Sequence, residues 1–338
     1  MFCKPVTMRM LADELGLSLS AVSKALNDYP DIGQETKALV LSKAAEMGYT
    51  PNLLARNLAK KTSSFVGVVI RDVNSIYGEM FKSLNEVARR YDLHLILYDT
   101  DNDPAVEKWC IQNLIDSMAM GIVVTPVSED VSGILKSTRD RVPVVFLGGR
   151  VTNPALNYVC SDSRAGTEQA LRHLMGLGHR HIAMVCDHKQ SSSRSGKLAV
   201  YRSLMAEMGE PERVFVSSEG DGNIMQAGYR QGRRILESKD EITAVFVVKD
   251  MMALGVIHGL TEGGVQVPEQ ISVVGYDGII TSQIVSPKIT TLRQDTEALG
   301  KEAAVKLIEL IEHPRTALLD RIIVPGELLP GESVKKLV

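Results

Sequence analysis

The sequence predicts an α/β core built on two parallel sheets, preceded by an all-α head. Three observations carry this. Beyond residue 64, short Val/Ile-rich runs alternate with amphipathic stretches, the pattern of parallel strands covered by helices on both faces. Eight or more such units in about 270 residues are more than one sheet needs. The first 60 residues hold no strand-like run and read as helices only.

In the head, Leu11, Ala12 and Leu15 form one apolar helical face, with Thr7 placed to cap it. Gly16 ends that helix and Ser18 caps the next, where Val22, Ala25 and Leu26 repeat at helical spacing. Asp28-Tyr29-Pro30-Asp31 is a loop. A third helix carries Val40, Ala44 and Met47 and stops at Gly48. Pro51 opens a short segment, Asn52 to Leu58, and Lys60-Lys61-Thr62-Ser63-Ser64 reads as a linker.

In the core, strands are expected at 65–70, 93–98, 121–125, 142–147, 182–186, 214–217, 244–248 and 271–275. Helices fill the gaps, among them 80–91, 106–118, 166–177, 199–208, 227–236 and 251–262.

A chain of 338 residues, 44% hydrophobic, has length for two or three packed domains. Its net charge of -3 argues mildly against a nucleic-acid binder, but the distribution matters more. Residues 1–61 carry eight Lys/Arg against six Asp/Glu, so a weakly basic head precedes an acidic body. Cys3, Cys110, Cys160 and Cys186 form no Cys-x-x-Cys, so a zinc knuckle or disulfide framework is not expected. Reduced thiols in a cytoplasm are the simplest reading. The N-terminal stretch has no apolar core or cleavage site of an export signal. No apolar run approaches the roughly 20 residues a spanning helix needs, so no membrane role is expected.

Two short helices joined by a Gly-containing turn fit either an ordinary helical hairpin or a DNA-reading unit. The second helix favours the latter. Ser18, Ser20, Ser23, Lys24 and Asn27 are short hydroxyls, one cation and one amide, able to reach phosphates and base edges in a major groove. Val22, Ala25 and Leu26 would pack inward, leaving Leu19, Ser20, Ser23 and Lys24 outward.

The run Val6-Thr7-Met8-Arg9-Met10-Leu11-Ala12-Asp13-Glu14-Leu15-Gly16-Leu17-Ser18, with Ala21-Val22-Ser23-Lys24-Ala25-Leu26-Asn27, resembles the head of the lactose-repressor/galactose-repressor family. So does Gly48-Tyr49-Thr50-Pro51-Asn52-Leu53-Leu54-Ala55-Arg56-Asn57-Leu58. Further matches are Leu177-Gly178-His179-Arg180-His181-Ile182-Ala183, Asp250-Met251-Met252-Ala253-Leu254-Gly255, Val267-Pro268-Glu269-Gln270-Ile271-Ser272-Val273-Val274-Gly275-Tyr276-Asp277 and Thr290-Thr291-Leu292-Arg293-Gln294-Asp295. They run in order along nearly the whole chain.

The resemblance implies a helix-turn-helix DNA-binding head at 1–50 and a hinge helix with linker at 51–64. The core, 65–338, would be bilobal and periplasmic-binding-protein-like, type I, crossed three times by the chain. Its first lobe would span about 65–160 plus 291–320, and its second about 161–290 plus 321–338. The implied function is a transcriptional repressor, not an enzyme. It would act as a homodimer on a near-palindromic operator, without a bound cofactor. A sugar or anionic sugar derivative between the lobes would set operator affinity.

Implied DNA contacts are Thr7, Ser18, Leu19, Ser20, Ala21, Ser23, Lys24 and Asn27, with Asn52, Ala55 and Leu58 in the hinge. Leu58 would wedge between base steps; burial against the head is its other reading. Ala21 stands where threonine is usual and Lys24 where arginine is common. Lysine cannot make a two-pronged contact to guanine.

In the core, Tyr77 and Phe81 fit ligand contact or core packing equally. Lys197 stands where an arginine often grips ligand oxygens, and Lys249 replaces an asparagine. Asp277 matches a ligand-binding aspartate at a strand end, able to accept two hydroxyl hydrogen bonds; a cap or turn is its other reading. Asp250 is expected to cap the helix over 251–262. Gly148 stands where an acidic residue is frequent, and Gly222 where an aromatic occurs. A cleft with two lysines and fewer acids leans toward an anionic effector, unless the lysines pair with nearby aspartates or face solvent.

Rival readings are weaker. Ser195-Gly196-Lys197 lacks the first glycine and the final Ser/Thr of a phosphate loop, where Ser191 and Leu198 stand instead. His173, His179, His181, Cys186 and His188 match no usual zinc spacing. A transport-type binding protein would need neither the head nor its chemistry.

Overall fold

The Val/Ile-rich runs become strands, and all their pairings but one are parallel. The computed structural model describes residues 6–50, 63–73, 76–148, 156–188, 191–314 and 316–337. They fall into two compact units, Met1–Ser63 and Ser64–Val338.

The first unit holds α1 (Met8–Leu15), α2 (Leu19–Leu26) and α3 (Gln34–Met47). Leu11, Ala12, Val22, Ala25, Val40 and Ala44 make its small core. Gly16 and Gly48 end α1 and α3 at φ 63° and 67°, left-handed positions where a side chain costs energy.

The second unit carries two six-stranded sheets. The first contains β1 (Phe65–Ile70), β2 (His94–Asp99), β3 (Ile122–Val124), β4 (Val144–Leu147), β5 (Tyr158–Ser161) and β11 (Arg321–Val324). Their order is β11-β5-β4-β3-β1-β2. The second contains β6 (Ile182–Cys186), β7 (Val214–Val216), β8 (Ala244–Val247), β9 (Ser272–Asp277), β10 (Thr290–Gln294) and β12 (Gly326–Leu329), in the order β12-β10-β9-β8-β6-β7. Only β10 and β12 run antiparallel. Central strands are buried on both faces, so they read as unbroken apolar runs.

This topology moves two boundaries expected from the sequence. The strand 290–294 pairs with β9, so it belongs to the second lobe, not the first. The strand 321–324 pairs with β5, so it belongs to the first lobe, not the second. The chain crosses between lobes after β5, after β10 and at Pro325, which alone separates β11 from β12. The C-terminal stretch stays with the second lobe: Ser333 Oγ donates to the Val273 carbonyl and the Leu337 amide to the Leu177 carbonyl at 2.8 Å.

Two helix pairs approach at backbone distance. In the first lobe, α4 (Ile76–Arg90) meets α12 (Thr296–Glu312) at Gly300, where a Cβ would lie 2.3 Å from the Met80 carbonyl oxygen. In the second, α9 (Ile224–Glu237) meets α10 (Asp250–Glu262) through Gly228 and Gly232 on one helix and Gly255 and Gly259 on the other. A Cβ on Gly255 would stand 2.0 Å from the Met225 carbonyl oxygen, so the helices must part if it is added. No helix of the described residues is long and apolar enough to cross a membrane.

Gly255→Ala should therefore destabilise the protein by about 2 kcal/mol or more, the cost of overpacking against backbone. Urea unfolding of the full chain checks this; an unchanged midpoint would show that the pair separates freely.

Candidate functional site

In the first unit, the two capping residues shape the turn. Thr7 Oγ1 accepts from the Met10 amide at 3.3 Å, and Ser18 Oγ from the Ala21 amide at 3.1 Å. Burial of Val22 and Ala25 fixes the rotation of α2. Leu19 and Ser20 are left exposed, and Ala21, Ser23 and Lys24 partly so. Asn27 Nδ2 donates to the Ser23 carbonyl at 2.7 Å. The Lys24 ammonium pairs with Asp31 at 2.5 Å, and that bond holds the Asp31 carboxyl below its ordinary pKa. Lys24 must leave Asp31 to reach an external anion.

In the second unit, the carboxyl ends of both sheets open onto a cleft of about 1110 Å³, part of it open to solvent. From the first lobe come Arg71 after β1, Tyr77 in α4, Gly148 after β4 and Ser161 at the end of β5. From the second come Asp187 after β6, Arg194 and Lys197 in α8 (Ser192–Met208), Lys249 after β8 and Asp277 at the end of β9. A cleft at strand carboxyl ends is where open parallel sheets bind ligands.

The charged groups are arranged in pairs. Lys249 Nζ donates to Asp187 Oδ2 at 2.6 Å. Burial works against the Asp187 carboxylate, but Lys249, Arg194 and Lys197 outweigh it and hold its pKa below the ordinary value. Lys197 is 4% exposed; its ammonium donates to the Val248 carbonyl at 2.9 Å and lies 3.2 Å from the Tyr276 ring centroid. Burial pushes its pKa down, and the Asp277 charge opposes the fall. Asp277 accepts from Gln294 Nε2 at 2.7 Å. Burial pushes the Asp277 carboxyl up to about 7, with Lys197 pulling the other way.

Asp250 is not the cap expected of it. Lys249 holds the cap position and makes no side-chain cap bond. The Asp250 carboxylate instead crosses to the next strand: Oδ2 accepts from the Gly278 and Ile279 amides at 2.8 and 3.0 Å, and Oδ1 from Thr291 Oγ1 at 2.7 Å. Three donors around a fully buried carboxylate make a clamp, not a ligand contact.

Residues 171–334 match the periplasmic binding protein-like domain. Catabolite control protein A of Priestia megaterium is 29% identical over 98% of this chain and 99% of its own. The HTH-type transcriptional repressor PurR of Mannheimia succiniciproducens is 29% identical over the same shares. The lac repressor dimer bound to operator and the anti-inducer ONPF superposes with a TM-score of 0.87 at 26% identity, over 98% of this chain and all of that one. Over nearly its whole length the chain is similar to regulators of the lactose-repressor/galactose-repressor family.

A member of the lactose-repressor/galactose-repressor family is a DNA-binding transcriptional regulator, not an enzyme. Of the expected cleft residues, Tyr77, Lys197, Lys249 and Asp277 line it. Phe81 does not: it packs against the first-lobe core, one turn on from the face that carries Tyr77. The lysines do not stand free to grip an anion, because Lys249 is held by Asp187 and Lys197 lies between a carbonyl, a ring and Asp277. Gly148 carries no carboxylate for a steric reason. At φ 87° any Cβ there would come within 2.8 Å of the Tyr77 ring. Asn52, Ala55 and Leu58 lie outside the described residues.

Sequence reasoning missed Arg71, Arg194 and Asp187. Arg71 donates to the Tyr77 hydroxyl, with its guanidinium 5.2 Å from the ring centroid. A positively charged residue directly after the first core strand was the available signal. The histidines serve structure: His179 bridges Thr243 and the Lys335 carbonyl, and His181 meets Glu210 at 3.1 Å.

Asp250→Ala should cost about 3 kcal/mol or more, since three buried donors lose their acceptor. Urea unfolding measures it, and Asp250→Asn, which keeps one acceptor oxygen, should fall between. A wild-type midpoint in the alanine variant would remove the clamp.

Proposed function

We propose that the protein is a cytoplasmic repressor, acting as a homodimer on a near-palindromic operator under control of a sugar-like molecule held between the core lobes. The observation that carries this reading is Asp277. It is a carboxylate at a strand end, lining the cleft, in a chain that also folds a capped helix-turn-helix. Such a group accepts hydrogen bonds from two hydroxyls of one ligand. In the head, Ser20, Ser23 and Lys24 present the donors that base edges and phosphates accept. Two heads on a two-fold dimer supply the footprint that one lacks. Leu58 in the hinge is the residue assigned to wedge between base steps.

The test is operator binding, followed by fluorescence anisotropy on genomic fragments, with and without a panel of sugars, sugar acids and sugar phosphates. A site-specific, salt-sensitive complex of the dimer is expected. A protein that stays monomeric on saturated DNA, or gives no specific complex, overturns the reading.

Lys24→Ala should weaken discrimination at one half-site position by roughly 1–3 kcal/mol if it reads a base edge. Binding that weakens equally on all sequences would assign it to phosphate instead.

Asp277→Ala should abolish the effector response while DNA binding persists. Effector affinity should also depend on pH. The folded pKa of Asp277 is raised to about 7, so the ionised acceptor is present above that value and lost as pH falls through it. Affinity for a neutral sugar should therefore decline from pH 8 to pH 6. Calorimetry across that window checks it, and a flat profile would remove the ionised carboxylate from the contact.

A further inference from the structure

The lysines expected to hold an anion are occupied, yet the cleft contains two other cations with unmet hydrogen-bonding capacity. We propose that Arg71 and Arg194, one from each lobe, form a two-armed subsite for an oxyanion, either a phosphate or a carboxylate, carried by the effector. The proposal rests on reading the cleft as the effector site, and names the chemical class that site takes.

Arg71 follows β1 directly, at the carboxyl end of a first-lobe strand. Its backbone amide donates to Thr125 Oγ1 at 3.0 Å, which fixes the start of the side chain. Its far end is fixed by Tyr77, which accepts one guanidinium hydrogen bond and lies beneath the cation. Tyr77 can stand there because residue 148 is glycine. Gly148, Tyr77 and Arg71 thus form one chain of support, ending in a guanidinium at the cleft wall.

Arg194 comes from the other side. It sits in the first turn of α8, whose cap, Ser191, accepts from the Arg194 amide at 3.1 Å. Ser191 and Ser193 line the cleft beside it. The helix start adds backbone donors and a positive dipole end to the cation.

Each arginine keeps a buried Nε with no hydrogen-bond partner among the described residues. A buried donor left unpaired is costly and needs an explanation. Asp187 is the acid that acts on both, since its charge is felt by Arg71 and it feels Arg194; Glu107 also acts on Arg71 but accepts from the Val127 amide. Asp187, however, bonds Lys249 at 2.6 Å. Asp277 likewise faces Lys197 and Gln294. The internal acids are held by the lysines; Arg71 bonds the Tyr77 hydroxyl and Arg194 the Cys186 thiol, and the Nε of each fork is left for an acceptor from outside. A planar fork of donors suits an oxyanion better than it suits a neutral hydroxyl. Because the arms belong to different lobes, one bound anion ties the lobes together.

The test uses the full chain and calorimetry in a phosphate-free buffer, first with inorganic phosphate and with acetate as bare probes. Saturable binding of at least one is expected at millimolar concentration. Arg71→Gln and Arg194→Gln should each weaken it on the order of thirtyfold, the loss when one partner of a desolvated charge contact is removed. Arg194→Lys, which keeps the charge without the fork, should be intermediate. Unchanged unfolding midpoints separate these losses from misfolding.

A phosphate-bearing source is then told from a carboxylate-bearing one with ribose 5-phosphate, glucuronate and their neutral parents, ribose and glucose. No saturable binding of either bare anion, or equal binding in wild type and both glutamine variants, overturns the subsite. Asp277→Ala distinguishes the two readings. It should leave bare-anion binding intact while removing the sugar contribution. Bare-anion binding that depends on both arginines, with no sugar derivative moving operator affinity, upholds the subsite and defeats the effector reading of the cleft.

Discussion

The Asp250 carboxylate organises the floor of the second lobe, and the cleft depends on it. It begins α10, yet its oxygens bond the Gly278 and Ile279 amides and the Thr291 hydroxyl. One side chain thus joins a helix to the ends of two strands. The contact needs Gly275, because a Cβ there would lie 2.1 Å from Asp250 Oδ1. It also explains how Asp277 keeps a φ of 126°, a region that side chains with a Cβ rarely occupy. The two amides after it are pinned, so the strain is held in place from one side. Burial pushes the Asp250 pKa up, and the bonds it accepts from Thr291, Ile279 and Gly278 oppose that rise. A charge at this depth is tolerable only because every oxygen is used.

The same logic of paired charges orders the rest of the cleft. Lys249 neutralises Asp187, and Lys197 neutralises Asp277 in part while borrowing the face of Tyr276. A lysine ammonium over a ring is attracted by the ring's electron-rich face. These pairs leave the lysines as supports for the acids. Asp187 is then held below the ordinary carboxylate range while Asp277 is pushed up to about 7, and above that value both are ionised. Lys197, expected from the resemblance to grip ligand oxygens, instead donates to the Val248 carbonyl and lies over the Tyr276 ring.

Much of the fold was legible because its strands are buried on both faces. Val245, Val273 and Val68 stand in runs that nothing but a covered parallel strand would tolerate. Four strands escaped notice: β5 is buried throughout but only four residues long, β10 opens on two threonines, and β11 and β12 are half-exposed. Arg321 and Glu327 interrupt β11 and β12, whose burial alternates. The lobe boundaries failed for a different reason. A strand does not announce which sheet it joins, and β11 and β12 enter different sheets across a single proline. The helix 296–312 did carry a signal, with Leu299, Ala303 and Leu307 at helical spacing, all buried. In the site, Asp277 and Tyr77 were readable from their places after strands. The role of Asp250 was not, since its partners lie 28 to 41 positions away. Arg71 and Arg194 were hidden because lone arginines in loops and helix starts are common on any surface.

The three crossings decide what kind of switch such a core can be. They lie near residues 162, 295 and 325, so three short stretches of chain join the lobes. Joints of this kind permit rotation of one lobe against the other with little change inside either. A ligand that contacts only one lobe has equal affinity for open and closed arrangements, and shifts nothing however tightly it binds. The groups that can shift the balance are those contributed to one ligand from both sides. Tyr77 and Arg71 stand on the first lobe, and Asp277, Lys249 and Arg194 on the second. Regulation then requires an effector long enough to engage both sets. By linkage, any factor it applies to operator affinity must return to it as the same factor in its own affinity when the operator is bound.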